Sequence, residues 1–235
     1  MFFSAHLFDS SPLAAIKRRA PTAADAPGLL SARTAICAPF SYSMLPSPQL
    51  GRESLVACWE DESALERFLE DDPTGRDFAQ GWHVRLELVR ALGVFPGLEN
   101  DMTEIAGDKA DAMTGPTFAI TMGTAYVKTI PTFYRVNKGL ERQFLATPNA
   151  LWGTAMSNLR TRFVATLTAW ESLDAATEYV KAGAHGEAVR NHFDPKNDLT
   201  GHTFVTGGGF FGFRPLSMHG QVTGKNAIAE SLLVS

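Results

Sequence analysis

Two stretches of the chain run apolar into a tryptophan followed by a glutamate: SLVACWE (54–60) and RFVATLTAWE (162–171). Their β-branched and apolar content predicts strands. Each is followed by an amphipathic segment with acids in its first turn, SALERFLE (63–70) and LDAATEYVK (173–181), which predicts helices. The two copies align without gaps, Trp59-Glu60 on Trp170-Glu171, then Thr74-Gly75 on His185-Gly186 and Phe78 on Val189. A second match closes each half: LELVRALGVFPG (86–97) on FRPLSMHGQVTG (213–224), with Gly93 on Gly220 and Gly97 on Gly224. The openings agree as well, FFSAHLF near residue 2 and TFAITMGTAYV near residue 117, both apolar and β-leaning.

After the first opening, SPLAAIKRR starts a helix that Pro21 and Pro27 limit. Its counterpart, IPTFYRVNKGLERQFLA, carries Ile130, Phe133, Val136, Leu140 and Phe144 at helical spacing. Each half therefore reads strand, helix, strand, strand, helix, strand, the ferredoxin-like split unit. One such unit leaves a sheet face uncovered, and two copies can bury those faces together. The expected fold is α+β, with duplicated ferredoxin-like βαββαβ units forming a fused dimeric α+β barrel. The first repeat is assigned to residues 1–100, a polar linker to 101–114 and the second repeat to 115–235. The landmarks lie sixteen residues further apart in the second half, and the extra length falls within Asn191 to Phe211. Gly207-Gly208-Gly209 marks that stretch as loop, a candidate lid.

Composition narrows the partners. A net charge of −4 over 235 residues offers no basic field for nucleic acid. Cys37 and Cys58 lie in apolar runs without metal-ligand spacing, so buried free thiols are expected rather than a zinc site or a disulfide framework. The N-terminus does not read as a signal peptide, and no run approaches the ~18 apolar residues of a membrane span. A cytoplasmic protein is expected, with peripheral membrane contact left open.

Several residues combine into a resemblance. The strand FVATLTAW, the Ala-His-Gly-Glu-Ala-Val-Arg stretch from Ala184 to Arg190 and the ending FGFRPLSMHGQVTGKN resemble the spheroidene monooxygenase family of carotenoid-oxidising enzymes. That resemblance implies haem as cofactor, molecular oxygen as co-substrate and a hydrophobic polyene as substrate. It makes His185 the candidate axial ligand of the haem iron, since imidazole is the usual haem ligand. His192, His202 and His219 are rivals, ahead of His6 and His83. Family members carry a Gly-Ile-Gly-Glu-Ile-Pro-like turn where this chain has Thr154 to Leu159, and arginines where it has Gly123 and Lys128. Arg190 and Arg214, with Arg160 and Arg162, are the candidates to replace those arginines against haem propionates.

Phe210 and Phe211 are read as an apolar substrate gate. Glu60 and Glu171 are read as helix-start acids, and Trp59 and Trp170 as core anchors. No phosphate loop, dinucleotide fingerprint, nucleophile elbow or His-Glu-x-x-His occurs. The leading expectation is a haem-dependent monooxygenase of a hydrophobic polyene. The alternatives are a cofactor-free oxygenase of the antibiotic-biosynthesis type and a barrel that binds an apolar ligand without turnover. The electron donor and the oligomeric state stay open.

Overall fold

The structure is a computed structural model and describes residues 1–43, 48–183, 186 and 205–222. The first half runs β1 (Phe2–Asp9), α1 (Pro12–Lys17), β2 (Leu29–Pro39), β3 (Gln49–Trp59), α2 (Glu62–Asp71), α3 (Pro73–Ala79) and β4 (Trp82–Val94). After α4 (Met102–Ala106), the second half runs β5 (Thr117–Ala125), a short 3-10 turn into α5 (Ile130–Leu145), β6 (Ala150–Asn158), β7 (Phe163–Trp170), α6 (Leu173–Lys181) and β8 (Val205–His219). The helix starts are chemically marked. Asp61 and Ser172 cap α2 and α6 through their side chains, and Pro12 and Pro73 occupy first-turn positions that need no amide donor. Glu60 and Glu171 sit one residue before these caps and are exposed, so the capping role falls to their neighbours.

All strands are antiparallel and close into one barrel in the order β1-β3-β2-β6-β7-β5-β8-β4. Each half keeps the ferredoxin-like order, β4-β1-β3-β2 and β8-β5-β7-β6, and the halves join at the β2·β6 and β4·β8 seams. The fused barrel expected from the duplication is the fold observed. Pairing registers confirm the alignment residue by residue. Phe3 pairs with Cys58 and Leu86, as Phe118 pairs with Ala169 and Phe213. On the β4·β8 seam, Leu86 faces Pro215 and Leu88 faces Phe213, two pairs that exchange under the repeat.

Alternation sends Phe3, Ala5 and Leu7 of β1 into the barrel, where they meet Val56, Phe118, Leu167 and Phe213 in one core. The other face of each half-sheet is covered by its helices in a smaller cluster, around Trp59 and Phe68 in the first half and around Trp170 and Phe144 in the second. Both tryptophans are core anchors, as expected. Each indole N–H is satisfied by a hydroxyl at 2.9 Å, Ser4 Oγ for Trp59 and Thr168 Oγ1 for Trp170.

Two stretches differ from the sequence reading. Residues 205–211, expected as loop, belong to β8, because Phe210, Gly209 and Gly208 lie in the ladder beside Leu92, Gly93 and Val94. The polar segment between the halves carries α4, whose Met102 and Ala106 join the barrel core with Leu98. Among the described residues no helix is long and apolar enough to cross a membrane. Cys37 and Cys58 are buried free thiols, and burial pushes both up to about 12.

Three histidines distant in sequence stack across adjacent strands. His6 lies 5.3 Å from His83, and His83 lies 4.7 Å from His219. Ser4 Oγ accepts the Trp59 indole proton and lies 2.9 Å from His6 Nε2. Burial and then the neighbouring His83 lower the His6 pKa well below its usual value. Burial and then His219 lower that of His83 to about 4. Unfolded histidines take up protons below about pH 6.5, and folded His6 and His83 resist doing so. Stability is therefore whole above that pH, falls as the pH drops toward 4 and levels off below the folded pKa. In urea unfolding at pH 7 and pH 4.5, the His83 contribution is expected to cost on the order of 1–2 kcal/mol. His83→Phe is expected to lose correspondingly less on acidification. An equal loss in both proteins would refute this origin.

Candidate functional site

The site follows from what the two halves place at matching positions. On the helix-covered face of the first half, the ladder pairs His6·Leu55 and Phe8·Glu53 stand where Thr121·Thr166 and Gly123·Val164 stand in the second. The first-half residues are large, and the space beneath the helices is filled. His6 and Phe8 meet the Phe78 ring edge-on at 5.9 and 6.1 Å. The Arg18 guanidinium lies 5.9 Å from the Phe8 ring and 5.5 Å from the Phe78 ring, and it is held by Glu53 and Asp77. In the second half, threonine, glycine and valine leave that space open.

The result is a cavity of about 250 Å³ between α5 and the sheet. Its floor is Thr121, Gly123, Val164, Thr166 and Trp170, and its roof is the α5 face from Phe133 to Phe144. Ala38 and Phe40 of the β2 end, Tyr179 of α6 and Phe210 of β8 close its sides. The wall is mostly apolar with few polar groups, the usual character of a small-molecule site, and the volume lies just below the usual range of such sites (~300–1,000 Å³).

One ionic feature stands out in this wall. Lys138 Nζ and Glu141 Oε2 lie 2.7 Å apart, with side chains only 7% and 11% exposed. The Ser41 amide also points at Glu141 Oε2, at 3.4 Å. Tyr179 donates its hydroxyl to the Leu140 carbonyl at 2.9 Å, and Asn137 donates to the Phe133 carbonyl at 3.0 Å. Burial, and then the charge of Glu141, push the Tyr179 phenol upward, so it stays protonated. The wall thus offers one ammonium and one carboxylate in otherwise apolar surroundings.

The residues singled out from sequence fall differently. His185 and Arg190 lie outside the described residues, as do the rival histidines His192 and His202. Arg214 sits on the β4·β8 seam, where it pairs with Glu87 at 3.2 Å, and it is not part of the cavity wall. Phe210 and Phe211, adjacent on a strand, point to opposite faces and cannot form one flexible gate. Phe210 joins the cavity wall, while Phe211 packs inside the barrel 5.4 Å from Phe95. His6, His83 and His219 belong to the stack. Among the described residues no cluster of His, Cys, Asp or Glu could hold a metal ion.

The described wall carries no imidazole or thiol, and its potential axial donors to a haem iron are the phenols of Tyr134 and Tyr179 and the thioethers of Met122 and Met156. Its one cation, Lys138, is already paired. Lys138 and Glu141 themselves escaped the sequence reading. Their helical positions carry no signal of this role: Lys138 lies five residues from Phe133, two from Leu140 and six from Phe144, off the apolar stripe.

The sequence matches no protein-family model and no curated protein. Among solved structures the chain is similar to an aldoxime dehydratase, at 9% identity over 91% of this chain and 80% of that one, with a TM-score of 0.46. It is similar to a ferredoxin-fold protein of Listeria monocytogenes related to antibiotic biosynthesis monooxygenases, at 10% identity over 92% and 95% of the two chains, with a TM-score of 0.37. A haem-degrading enzyme of the same organism shares 11% identity over 90% and 98%, with a TM-score of 0.35. Likeness at this level bears on neither activity nor ligand.

Proposed function

We propose that the chain is a monooxygenase of small, mostly apolar molecules and that its substrate binds in the second-half cavity. The observation that carries the ligand part is the contrast between the halves. One cleft is plugged by Arg18 and Glu53, while its counterpart is left open and lined with small side chains. The oxygenase part rests on the resemblance in sequence, and cavity size selects among its forms. A linear polyene of carotenoid length and a haem are both large for about 250 Å³. The form that suits the described wall is cofactor-free oxidation of an electron-rich aromatic. In such a reaction a CH₂ group becomes a carbonyl, one oxygen atom enters the product and the other leaves as water. The substrate supplies all the electrons. The protein's share is to bind, desolvate and orient it.

Oxygen uptake with a small polycyclic aromatic that carries a CH₂ between two rings tests this reading. Val164→Phe fills the cavity and is expected to lower kcat/KM at least about tenfold, equivalent to about 1.4 kcal/mol of transition-state binding. Uptake undiminished in that variant would move the site elsewhere. Absence of uptake both with and without added haem would remove the oxygenase reading. The haem-dependent form is tested by the absorption spectrum of haem-supplemented protein, where it requires a Soret band that His185→Ala abolishes.

A further inference from the structure

Two of the described ion pairs have both side chains under 15% exposed, Arg18–Glu53 and Lys138–Glu141. The first fills its cleft, and the second faces a cavity. A buried ion pair contributes little to stability, because the desolvation of two charges offsets their attraction. The buried wall of a cavity is therefore an expensive place to keep one without another use. Both partners lie on the roof of the cavity, one helical turn apart, so a single polar atom of a ligand can approach both.

We propose that Lys138 and Glu141 make this cavity a site for a weakly acidic phenol or enol, bound as its anion. The inference rests on the reading of the cavity as the ligand site and names the substrate class for it. A neutral hydroxyl arriving between the two groups gives its proton to the Glu141 carboxylate. The O–H bond breaks, its electron pair stays on the ligand oxygen, and the oxyanion is held by the Lys138 ammonium. The net charge of the site is unchanged, so no uncompensated charge enters an apolar space. The other ionisable groups on the described wall are Tyr134, which is exposed, and Tyr179, whose hydroxyl is committed to the Leu140 carbonyl. Neither supplies the base. The ionised form is also the electron-rich one, which suits a substrate that must itself supply electrons to oxygen.

The test is anaerobic binding of a nitronaphthol, whose anion and neutral form absorb at different wavelengths, at a pH below its own pKa in water. The native protein is expected to bind the probe mainly as the anion. Lys138→Met is expected to bind it at least about tenfold more weakly and in the neutral form, as loss of a charge-assisted contact requires. Glu141→Gln retains the ammonium. It is expected to bind the anion at least as tightly as the native protein but to release one proton to the buffer that the native protein retains, which separates a lost role from a lost fold; equal proton release by both proteins would overturn the role of Glu141. Circular dichroism of each variant checks the fold. Binding of the neutral probe by native protein, with Lys138→Met of equal affinity, overturns the proposal but leaves the cavity as the ligand site. Binding that Val164→Phe leaves intact overturns both.

Discussion

Gly93→Ala is expected to lower the free energy of unfolding by about 2–4 kcal/mol, whereas Gly139→Ala is expected to raise it by about 0.5–1 kcal/mol. The same methyl group has opposite effects because the two backbones ask for different things. Gly93 ends the straight part of β4 at φ +109°, a region closed to side chains, and an added Cβ would lie 2.3 Å from the Gly208 carbonyl oxygen. That oxygen and the Gly209 Cα belong to the partner strand, so relief needs the β4·β8 seam to separate. Gly139 lies within α5 with nothing within 4 Å of its would-be Cβ, and there alanine only removes freedom from the unfolded chain. The repeat supplies a further check. Gly220 matches Gly93, has φ +71°, and would place its Cβ 2.6 Å from the Gly81 carbonyl. Urea unfolding of the three variants at pH 7 measures all of this. A Gly93→Ala midpoint equal to the native one would show that the seam is looser than described.

Trp59→Ala is expected to cost about 3–5 kcal/mol, the usual range for deleting a large buried aromatic. Trp59 is fully buried, its ring packs 5.1 Å from Phe68, and its indole N–H is the donor to Ser4. Truncation leaves a void beneath α2 and frees the Ser4 oxygen that anchors the His6 end of the histidine stack. Trp59→Phe keeps most of the volume and should cost clearly less, which separates packing from the hydrogen bond. Trp170→Ala, at the matching position, should destabilise comparably and also change ligand binding, because Trp170 forms part of the cavity floor. If Trp59→Ala unfolds at the same urea concentration as native protein, its role as the anchor of this cluster is wrong.

The repeat was legible because packing leaves local traces. The Trp-Glu strand ends, the amphipathic α2 and α6 and the stripe of α5 are periodic patterns that a chain shows without its partners. Gly93 and Gly220 were legible too, and the close approach of Gly93 to Gly208 and of Gly220 to Gly81 explains why both halves keep this pair. Other elements resisted. Residues 205–211 have the composition of a loop, and only pairing with β4 on one side and β5 on the other makes them strand. The helix α4 is too short and polar to stand out, and it forms where Met102 and Ala106 find the barrel core. The His6–His83–His219 stack joins residues from three strands, and no local spacing announces it.

By itself, the sequence determined the duplication, the order of strands and helices in each half and the tryptophan anchors. Each of these depends on residues near one another along the chain. Only the tertiary structure decided which of the two matching clefts remains open. That outcome depends on the summed volumes of side chains from several elements, with His6, Phe8, Arg18, Glu53 and Phe78 filling one space and Thr121, Gly123, Val164 and Thr166 leaving the other. It also decided that Lys138 and Glu141, ordinary surface charges to a reader of the helix alone, face an apolar cavity as a pair withdrawn from water.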